Sequence, residues 1–392
     1  MAQESKKILI FATSYLPLVG GAEIALKSIT DRIDGFDFDL ITSRPSGSLS
    51  EQERIGNINI FRVGGRGALL NFIIPKTFLP FSAYFKAKEL MAKNKYDLIF
   101  LLQASQVAGA VWLLKKFSHI KQPIVLNLQE GRNFKTNPLK QFFFKRIVSS
   151  ADYVTAISSH LKVVAQKYGA KKKPIKIIPN GVDMKNFSQE FSYGELTELS
   201  DKLGIKPDEK VIISVSRLAP KNGIGDLIQA MGILVNNWQG LRYKLLLAGS
   251  GKLDQPFREL THKLGIARDV VFAGDISHEE LPKYLRIADV FVRPSLSEGL
   301  GNAFLEAMAS GVAIVGTPVG GIPDFLIEGE TGFFCEVGNP QSIAEKIKLI
   351  FDDEKLSGQI IGKAYKLVKE KYNWTAIAAE YEKLFNELTT DK

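Results

Sequence analysis

Apolar residues in this chain fall in short runs, and the runs alternate with stretches of helical spacing. "KKILIFAT" is a run rich in β-formers, followed by a helical pattern from Gly21 to about Ile33. "FDFDLIT", "YDLIFLLQ", "PIVLNLQ" and "YVTAIS" repeat the strand signal, with a helical "SQVAGAVWLLKKF" and a long amphipathic stretch between them. "KIIPNGVD" (176–183) ends this half in a turn signal. The rhythm then restarts. "KVIISVSRL", "YKLLLAGSG", "DVVFAG", "DVFVRPS" and "VAIVGTP" read as strands, and "GIGDLIQAMGILVNN" and "QPFRELTHKLGI" as helices. Strands alternating with helices predict parallel βαβ units and doubly wound sheets. The chain therefore reads as two similar α/β domains split near 185–200. The tail from about Tyr372 reads as a helix with enough apolar residues to pack on something. In such sheets ligands sit beyond the carboxyl ends of the strands, so the loops that follow strands are the ones to inspect.

A length of 392 residues exceeds one ordinary core, and 45% apolar with 24% charged residues fits a soluble globular chain. The single cysteine, Cys335, excludes an intramolecular disulfide and suits a reducing compartment. The N-terminus runs straight into a strand pattern, so no signal peptide is expected. The longest apolar stretch, Leu98 to Leu114, is broken by Gln103, Ser105 and Gln106. It reads as a strand and a helix rather than a membrane span. The net charge of +9 is uneven: residues 1–190 hold 28 Lys and Arg against 14 Asp and Glu, or +14, and the remainder carries −5. Charge alone leaves an anionic membrane surface, a phosphorylated substrate and nucleic acid open.

The loop after "DVFVRPS" carries the most chemistry. "SLSEGLGNAFLEAMASG" places Glu298 on a glycine-rich loop and Glu306 on the helix that follows. Asn302 is the expected helix cap and Gly311 the expected stop. Ala303, Glu306, Ala307 and Ser310 share one helix face, small except for the glutamate, which lets a ligand approach closely. Gly299, Leu300, Gly301 and Asn302 lie near a helix N-terminus, where anions bind favourably. A phosphate there leaves Glu306, and Glu298 from the loop, to accept hydrogen bonds from sugar hydroxyls. A solvated glutamate beside a tight turn is the plainer alternative. Gly20 and Gly21 occupy the equivalent place after the first strand. Arg217 and Lys221 follow the strand "KVIISVS" and suit a diphosphate, with Gly223 opening the next helix. Gly249 and Ser250, in "LAGSGK", form a weaker loop of the same kind. No GxGxxG occurs, which argues against a dinucleotide dehydrogenase.

Metal chemistry finds little support in the sequence. "DFD" at Asp37–Asp39 matches a metal-binding pattern of sugar transferases, yet Phe36, Phe38 and Leu40 alternate with the aspartates as on a half-exposed strand. His119, His160, His262 and His278 with one cysteine give no ligand spacing. The N-x-S/T matches at Asn186 and Asn373 carry little meaning without a secretory signal.

The ordered set "GGAE", "SRLAPKNG", "AGSG", "RPSLSEGLGNAFLEAMASG" and "GTPVGGIPDFLIEGETGF" resembles the retaining GT-B glycosyltransferases of family 4, also called glycosyl transferases group 1. The spacing of Glu298 and Glu306 within EGxGxxxxEAMA is its specific signature. The resemblance implies two Rossmann-like domains facing across a cleft. Residues 1–187 with a C-terminal helix 373–392 would bind the acceptor, and residues 188–372 the nucleoside-diphosphate sugar. It implies that Arg217 and Lys221 neutralise the donor diphosphate, that Glu306 binds ribose hydroxyls and that Glu298 contacts or orients the sugar. Gly20 and Gly21 would let their loop approach the phosphates. No metal and no cofactor beyond the sugar nucleotide is implied, and no nucleic acid. Two departures stand out. Many members carry Arg-x4-Lys-Gly where this chain has Asn222, its lysine being one earlier at Lys221. Many also carry a histidine after the strand "PIVLNLQ", where Gln129 and Glu130 stand on the acceptor side, and an amide cannot act as acid or base.

The expected activity is retaining transfer of a hexosyl unit to a hydroxyl acceptor. The rivals are an NDP-sugar epimerase and a non-catalytic sugar-nucleotide-binding subunit. Residues 69–88 and 139–148 mix bulky apolar groups with Lys76, Lys86, Lys88, Lys140, Lys145 and Arg146. They suit a helix lying in a membrane interface as well as a core helix with lysines reaching solvent. On the first reading the acceptor is a lipid or lipid-linked glycan and the enzyme a peripheral one at the cytoplasmic face. On the second it is a cytoplasmic enzyme with a soluble acceptor.

Overall fold

The computed structural model describes residues 5–17, 20–64, 78–130, 137–238 and 240–390. The chain forms two compact units, Met1–Asn180 with Trp374–Lys392, and Gly181–Asn373. The sequence reading placed the junction after residue 187. The change of unit comes earlier because the short helix Met184–Phe187 belongs with the second unit, where Phe187 is fully buried and its ring meets His278 edge-on at 5.0 Å.

Unit 1 runs β1 (Lys6–Phe11), α1 (Gly21–Thr30), β2 (Phe36–Ser43), β3 (Gln52–Ile55), β4 (Ile58–Val63), α2 (Leu79–Lys93), β5 (Leu98–Leu102), α3 (Gly109–Phe117), β6 (Ile124–Leu128), α4 (Pro138–Ser150), β7 (Tyr153–Ala156), α5 (Ser159–Ala165) and β8 (Ile175–Ile177). Its sheet has eight strands in the order β3-β4-β2-β1-β5-β6-β7-β8. All pair in parallel except β3, which joins β4 antiparallel at the edge. The β3–β4 hairpin is not legible in the sequence, since "QERI" carries no apolar alternation. Period-two geometry sends Leu9 and Phe11 of β1 to one face, against Ala83, Ala87, Val111 and Val148 of α2, α3 and α4. Ile8 and Ile10 go to the other, against Ala25, Leu26 and Ile29 of α1. The C-terminal helix Trp374–Thr390 completes that second layer through Trp374, Ile377, Tyr381 and Phe385. Cover on both faces explains why these strands read as continuous apolar runs.

The same cover corrects the reading of "DFD". The strand is not half-exposed. Asp37 is exposed, but Asp39 is buried and bonded to Asn59 Nδ2 at 2.8 Å, to Lys7 Nζ at 3.1 Å and to the Tyr96 hydroxyl. Its carboxylate is tied into the core. Among the described residues no cluster of His, Cys, Asp and Glu could hold a metal ion, and no helix is long and apolar enough to cross a membrane.

Unit 2 runs α6 (Met184–Phe187), α7 (Tyr193–Lys202), β9 (Glu209–Val215), α8 (Ile224–Asn237), β10 (Arg242–Ala248), α9 (Asp254–Lys263), β11 (Val270–Gly274), α10 (Leu281–Arg286), β12 (Val290–Arg293), α11 (Asn302–Ala309), β13 (Ala313–Gly316), β14 (Phe333–Phe334), α12 (Pro340–Asp352) and α13 (Glu354–Lys371). Six parallel strands lie in the order β11-β10-β9-β12-β13-β14. Each sheet therefore reverses its winding beside its first strand, between β1 and β5 in unit 1 and between β9 and β12 in unit 2. A crevice opens at such a switch point because the flanking connections leave in opposite directions.

Candidate functional site

The candidate ligand-binding residues of unit 2 lie at the carboxyl ends of β9, β10 and β12, on the loops there or, for Asn302 and Glu306, on the helix that follows β12. Arg217 and Lys221 follow β9, Gly249 and Ser250 follow β10, and Glu298 to Asn302 follow β12. The loop after β12 fits backbone to backbone against the loop after β9 on one side and the loop after β13 on the other. Gly223 (φ +68°) lies where a Cβ would stand 1.9 Å from the Pro294 carbonyl oxygen. Gly320 (φ +59°) lies where one would stand 1.8 Å from that of Glu298. The Leu296 N–H donates to the Lys221 carbonyl at 2.7 Å. Glycine is needed at both positions for the approach and for the backbone angle.

Asn302 is not the cap of α11. The N-cap is Gly301 at φ +100°, and Asn302 is the first helical residue. Neither α11 nor α8, whose N-cap is Gly223, carries a side-chain cap. Two helix N-termini at the switch point thus lack the side-chain oxygen that usually satisfies their N–H groups. That arrangement favours an anion. Leu300 is buried, so it can offer a ligand only backbone. Ser250 is exposed and donates to Asp275 at 2.6 Å. Arg217 is exposed, and its guanidinium has no partner among the described residues.

Glu298 is held from below. Its carboxylate pairs with the Arg293 guanidinium and accepts the Gly299 N–H at 3.1 Å. Arg293 also donates to Asn222 Oδ1 at 3.1 Å, and Asn222 Nδ2 donates to the Arg217 carbonyl at 2.6 Å. Arg293 and Asn222 are both buried, at 8% and 2% exposure. They link the β9 loop to the β12 loop through a nearly buried charge pair, and geometry of that kind is rigid because neither charge can be left without the other. Sequence reasoning missed both residues as parts of the site. The signal for Arg293 was present, a charge ending the apolar run "DVFVR". For Asn222 the departure from the family pattern was the signal. Its side chain supports the loop from within and does not face a ligand, while Lys221 beside it is half-buried.

Glu306 lies one turn into α11 and is mostly buried. Its carboxylate accepts from His278 Nε2 at 3.2 Å. The hydrogen bond to Glu306 raises the His278 pKa above the ordinary 6.5, and burial opposes it. His278 was read only as one of four scattered histidines, because nothing in its sequence neighbourhood indicates a partner 28 residues away.

In unit 1, Gly20 precedes α1 as its N-cap and Gly21 begins it, with Glu23 directly above. Glu130 is exposed after β6. Gln129 is buried and its amide is committed. It donates to Asn127 Oδ1 at 2.7 Å and Asn180 Oδ1 at 3.0 Å, and accepts from Asn180 Nδ2 at 2.7 Å. Asn127 in turn donates to the Tyr381 hydroxyl at 2.6 Å and to Thr155 at 3.0 Å. This buried chain joins β6, β7 and the C-terminal helix.

Two doubly wound units, one with cationic and carboxylate loops around helix N-termini that lack side-chain caps, define an α/β protein whose second unit carries a crevice favourable to an anion. The model of the glycosyl transferases group 1 matches residues 196–386, and that of glycosyltransferase family 4 matches residues 19–186. An uncharacterized glycosyltransferase of Methanocaldococcus jannaschii is 30% identical over 95% of this chain and 96% of its own. The N-acetyl-alpha-D-glucosaminyl L-malate synthase of Bacillus anthracis is 27% identical over 78% of each chain. The solved structure of Anabaena HepE in complex with UDP-glucose superposes with a TM-score of 0.78 at 21% identity, covering 97% of this chain and 99% of that one. The chain belongs to the group 1, family 4 glycosyltransferases, and its fold is GT-B.

Proposed function

We propose that this glycosyltransferase moves a hexosyl unit from a nucleoside-diphosphate sugar to an acceptor hydroxyl with retention at the anomeric carbon and without a metal. The observation that carries the reading is the β12–α11 connection. It presents Glu298 and Glu306 on either side of a helix N-terminus with no side-chain cap, beside the exposed Arg217. The bond from C1 to the diphosphate breaks as the bond from C1 to the acceptor oxygen forms on the same face. The acceptor proton passes to the departing phosphate oxygen, and the nucleoside diphosphate leaves. Arg217, Lys221 and the N-termini of α8 and α11 stabilise the charge that grows on the diphosphate. Glu306 accepts the ribose hydroxyls. Glu298, fixed by Arg293, keeps lone pairs free to orient the sugar. The HepE complex with UDP-glucose supports a sugar nucleotide as donor, and the name of the Bacillus anthracis relative supports an α-linked product.

A panel of UDP-, GDP- and ADP-sugars, scored by thermal shift and by nucleoside-diphosphate release, tests the proposal. One donor should raise the melting temperature and release its diphosphate slowly without acceptor, and the release should persist in excess EDTA. Epimerised sugar nucleotide without release would indicate the epimerase instead. Binding with no turnover under any acceptor would indicate a non-catalytic subunit. Loss in EDTA restored by Mg²⁺ or Mn²⁺ would overturn the metal-free route.

A further inference from the structure

Unit 1 carries a groove of about 360 Å³ bounded by α2, α3 and α4 and by the loop after β5. That volume lies within the ~300–1,000 Å³ of ordinary ligand sites. Its walls are apolar: Phe81 from α2, Trp112 and Leu113 from α3, Leu139 and Phe143 from α4. Several of these side chains stay in water. Phe81 is 49% exposed, Leu139 65% and Phe143 48%, while Phe144 and Ile147, which also line the groove, are buried at its core side. The apolar surface of α4 is therefore wider than the core covers, and its outer part has no partner among the described residues. The two exposed aromatic pairs, Phe78–Phe81 and Phe142–Phe143, lie with ring centroids 6.3 and 5.6 Å apart. This is a contiguous apolar surface of the kind that marks a binding site.

Three further observations say what fills it. The charged side chains lining the groove are Lys140 and Arg146, and α4 as a whole carries Lys140, Lys145 and Arg146 with no acidic residue. The loop Ala104–Gln106, at the carboxyl end of β5 beside the switch point of the sheet, also lines the groove. There the Ser105 hydroxyl is buried with no hydrogen-bond partner, in a residue 6% exposed, and Gln103 just before it holds φ +67°. A buried orphan hydroxyl and a strained non-glycine backbone both cost free energy that an empty surface does not return. Apolar walls with Lys140 and Arg146 as the charged lining match an amphiphile with an anionic head, and the Ser105 hydroxyl is free to meet a polar group of it.

We infer that the groove between α2, α3 and α4 holds the hydrocarbon chain of an amphiphilic acceptor with an anionic head, paired with Lys140 and Arg146. The inference rests on the glycosyltransferase reading above for the word acceptor, and on the groove alone for the ligand class. It narrows the choice left by the sequence between a lipid acceptor and a soluble one.

Monomeric dodecyl phosphate is the probe, with dodecanol and inorganic phosphate as its two halves. Dodecyl phosphate should bind the full chain saturably at one site and quench fluorescence, and the quench should vanish in Trp112→Phe. Inorganic phosphate should neither bind there nor compete. Leu139→Glu, at an exposed position that spares the core, and Ala104→Phe, which fills the groove, should each weaken binding by about tenfold or more. Lys140→Glu with Arg146→Glu should weaken dodecyl phosphate but not dodecanol. The donor-induced thermal shift should survive in all of them. Binding unaffected by Leu139→Glu and Ala104→Phe, displacement by inorganic phosphate, or association with anionic vesicles but never with the monomer would each overturn the inference. A lost donor shift with intact dodecyl phosphate binding would count against the glycosyltransferase site and leave the groove standing.

Discussion

The two units share a scaffold and differ in what they hang on it. Each is a parallel sheet whose winding reverses beside its first strand. At the carboxyl ends of unit 2 the loops are closed by glycines, uncapped helix N-termini and the Arg293–Glu298 pair. At those of unit 1 they end in a buried amide network around Gln129 and an apolar groove rimmed by cations. The sheet supplies position, and the loop residues supply chemistry. A diphosphate needs backbone N–H groups and fixed charge, whereas a hydrocarbon chain needs area and little else. The charge asymmetry of the sequence, +14 in residues 1–190 against −5 beyond, does not follow that division: the excess of cations belongs to the unit that bears the groove, where Lys140 and Arg146 line it.

The sharpest way to break the comparison is at Arg293. Arg293→Met leaves Glu298 nearly buried without its counter-ion and should cost about 3–5 kcal/mol, read by calorimetric melting. Arg293→Met with Glu298→Gln should recover much of that loss. If Arg293→Met melts like the parent chain, the pair is not what fixes the β12 loop. Next in size is Arg217→Ala. Removing an exposed charge-assisted contact worth ~1.5–3 kcal/mol should lower kcat/KM by roughly ten- to a hundredfold while melting stays unchanged. Unaltered kinetics there, and in Glu306→Gln, would remove the diphosphate and ribose assignments.

Gln129→Leu probes the other unit. It strands Asn180 and Asn127 and should destabilise by about 1–3 kcal/mol, with the donor-induced thermal shift retained. A variant that melts normally yet loses acceptor turnover would make Gln129 a ligand contact instead.

The smallest effect concerns pH. The His278 pKa is raised in the folded chain by its hydrogen bond to Glu306. A raised histidine pKa contributes stability that is fully present below the unfolded value of about 6.5 and is lost as pH rises through the folded value. The His278 side chain is 38% exposed, so solvent screening keeps the effect small. The melting difference between the parent chain and Glu306→Gln should be larger at pH 6 than at pH 9. An equal difference at both would mean that the pair carries no charge-linked stability.

Much of the fold was legible because most strands are buried on both faces and most helices on one. Burial of that kind writes itself as runs and periods. The β3–β4 hairpin was not, since its edge strand "QERI" buries little. Asp39 was misread for a related reason. Alternation of Phe and Asp suggests one wet face, and only the neighbours Lys7, Asn59 and Tyr96 make a dry face tolerable for a carboxylate. Of the site, the loops were legible through glycine and charge, while Asn302 yielded the cap to Gly301 because the left-handed turn comes one residue earlier.

The sequence by itself determined the two parallel-sheet units, the loops that bear Arg217 and Glu298, the helix that bears Glu306, and the family to which they belong. Those follow from local period, local turn chemistry and ordered motifs. Only the tertiary structure decided that Arg293 and Asn222 hold Glu298, that His278 faces Glu306, that Gln129 is spent on Asn127 and Asn180, and that three helices of unit 1 leave a groove. Each of these needs contacts between residues far apart in the chain, such as Asn222 with Arg293 and Gln129 with Asn180, and side chains meet there because a sheet brings its strand ends side by side, which no local pattern records.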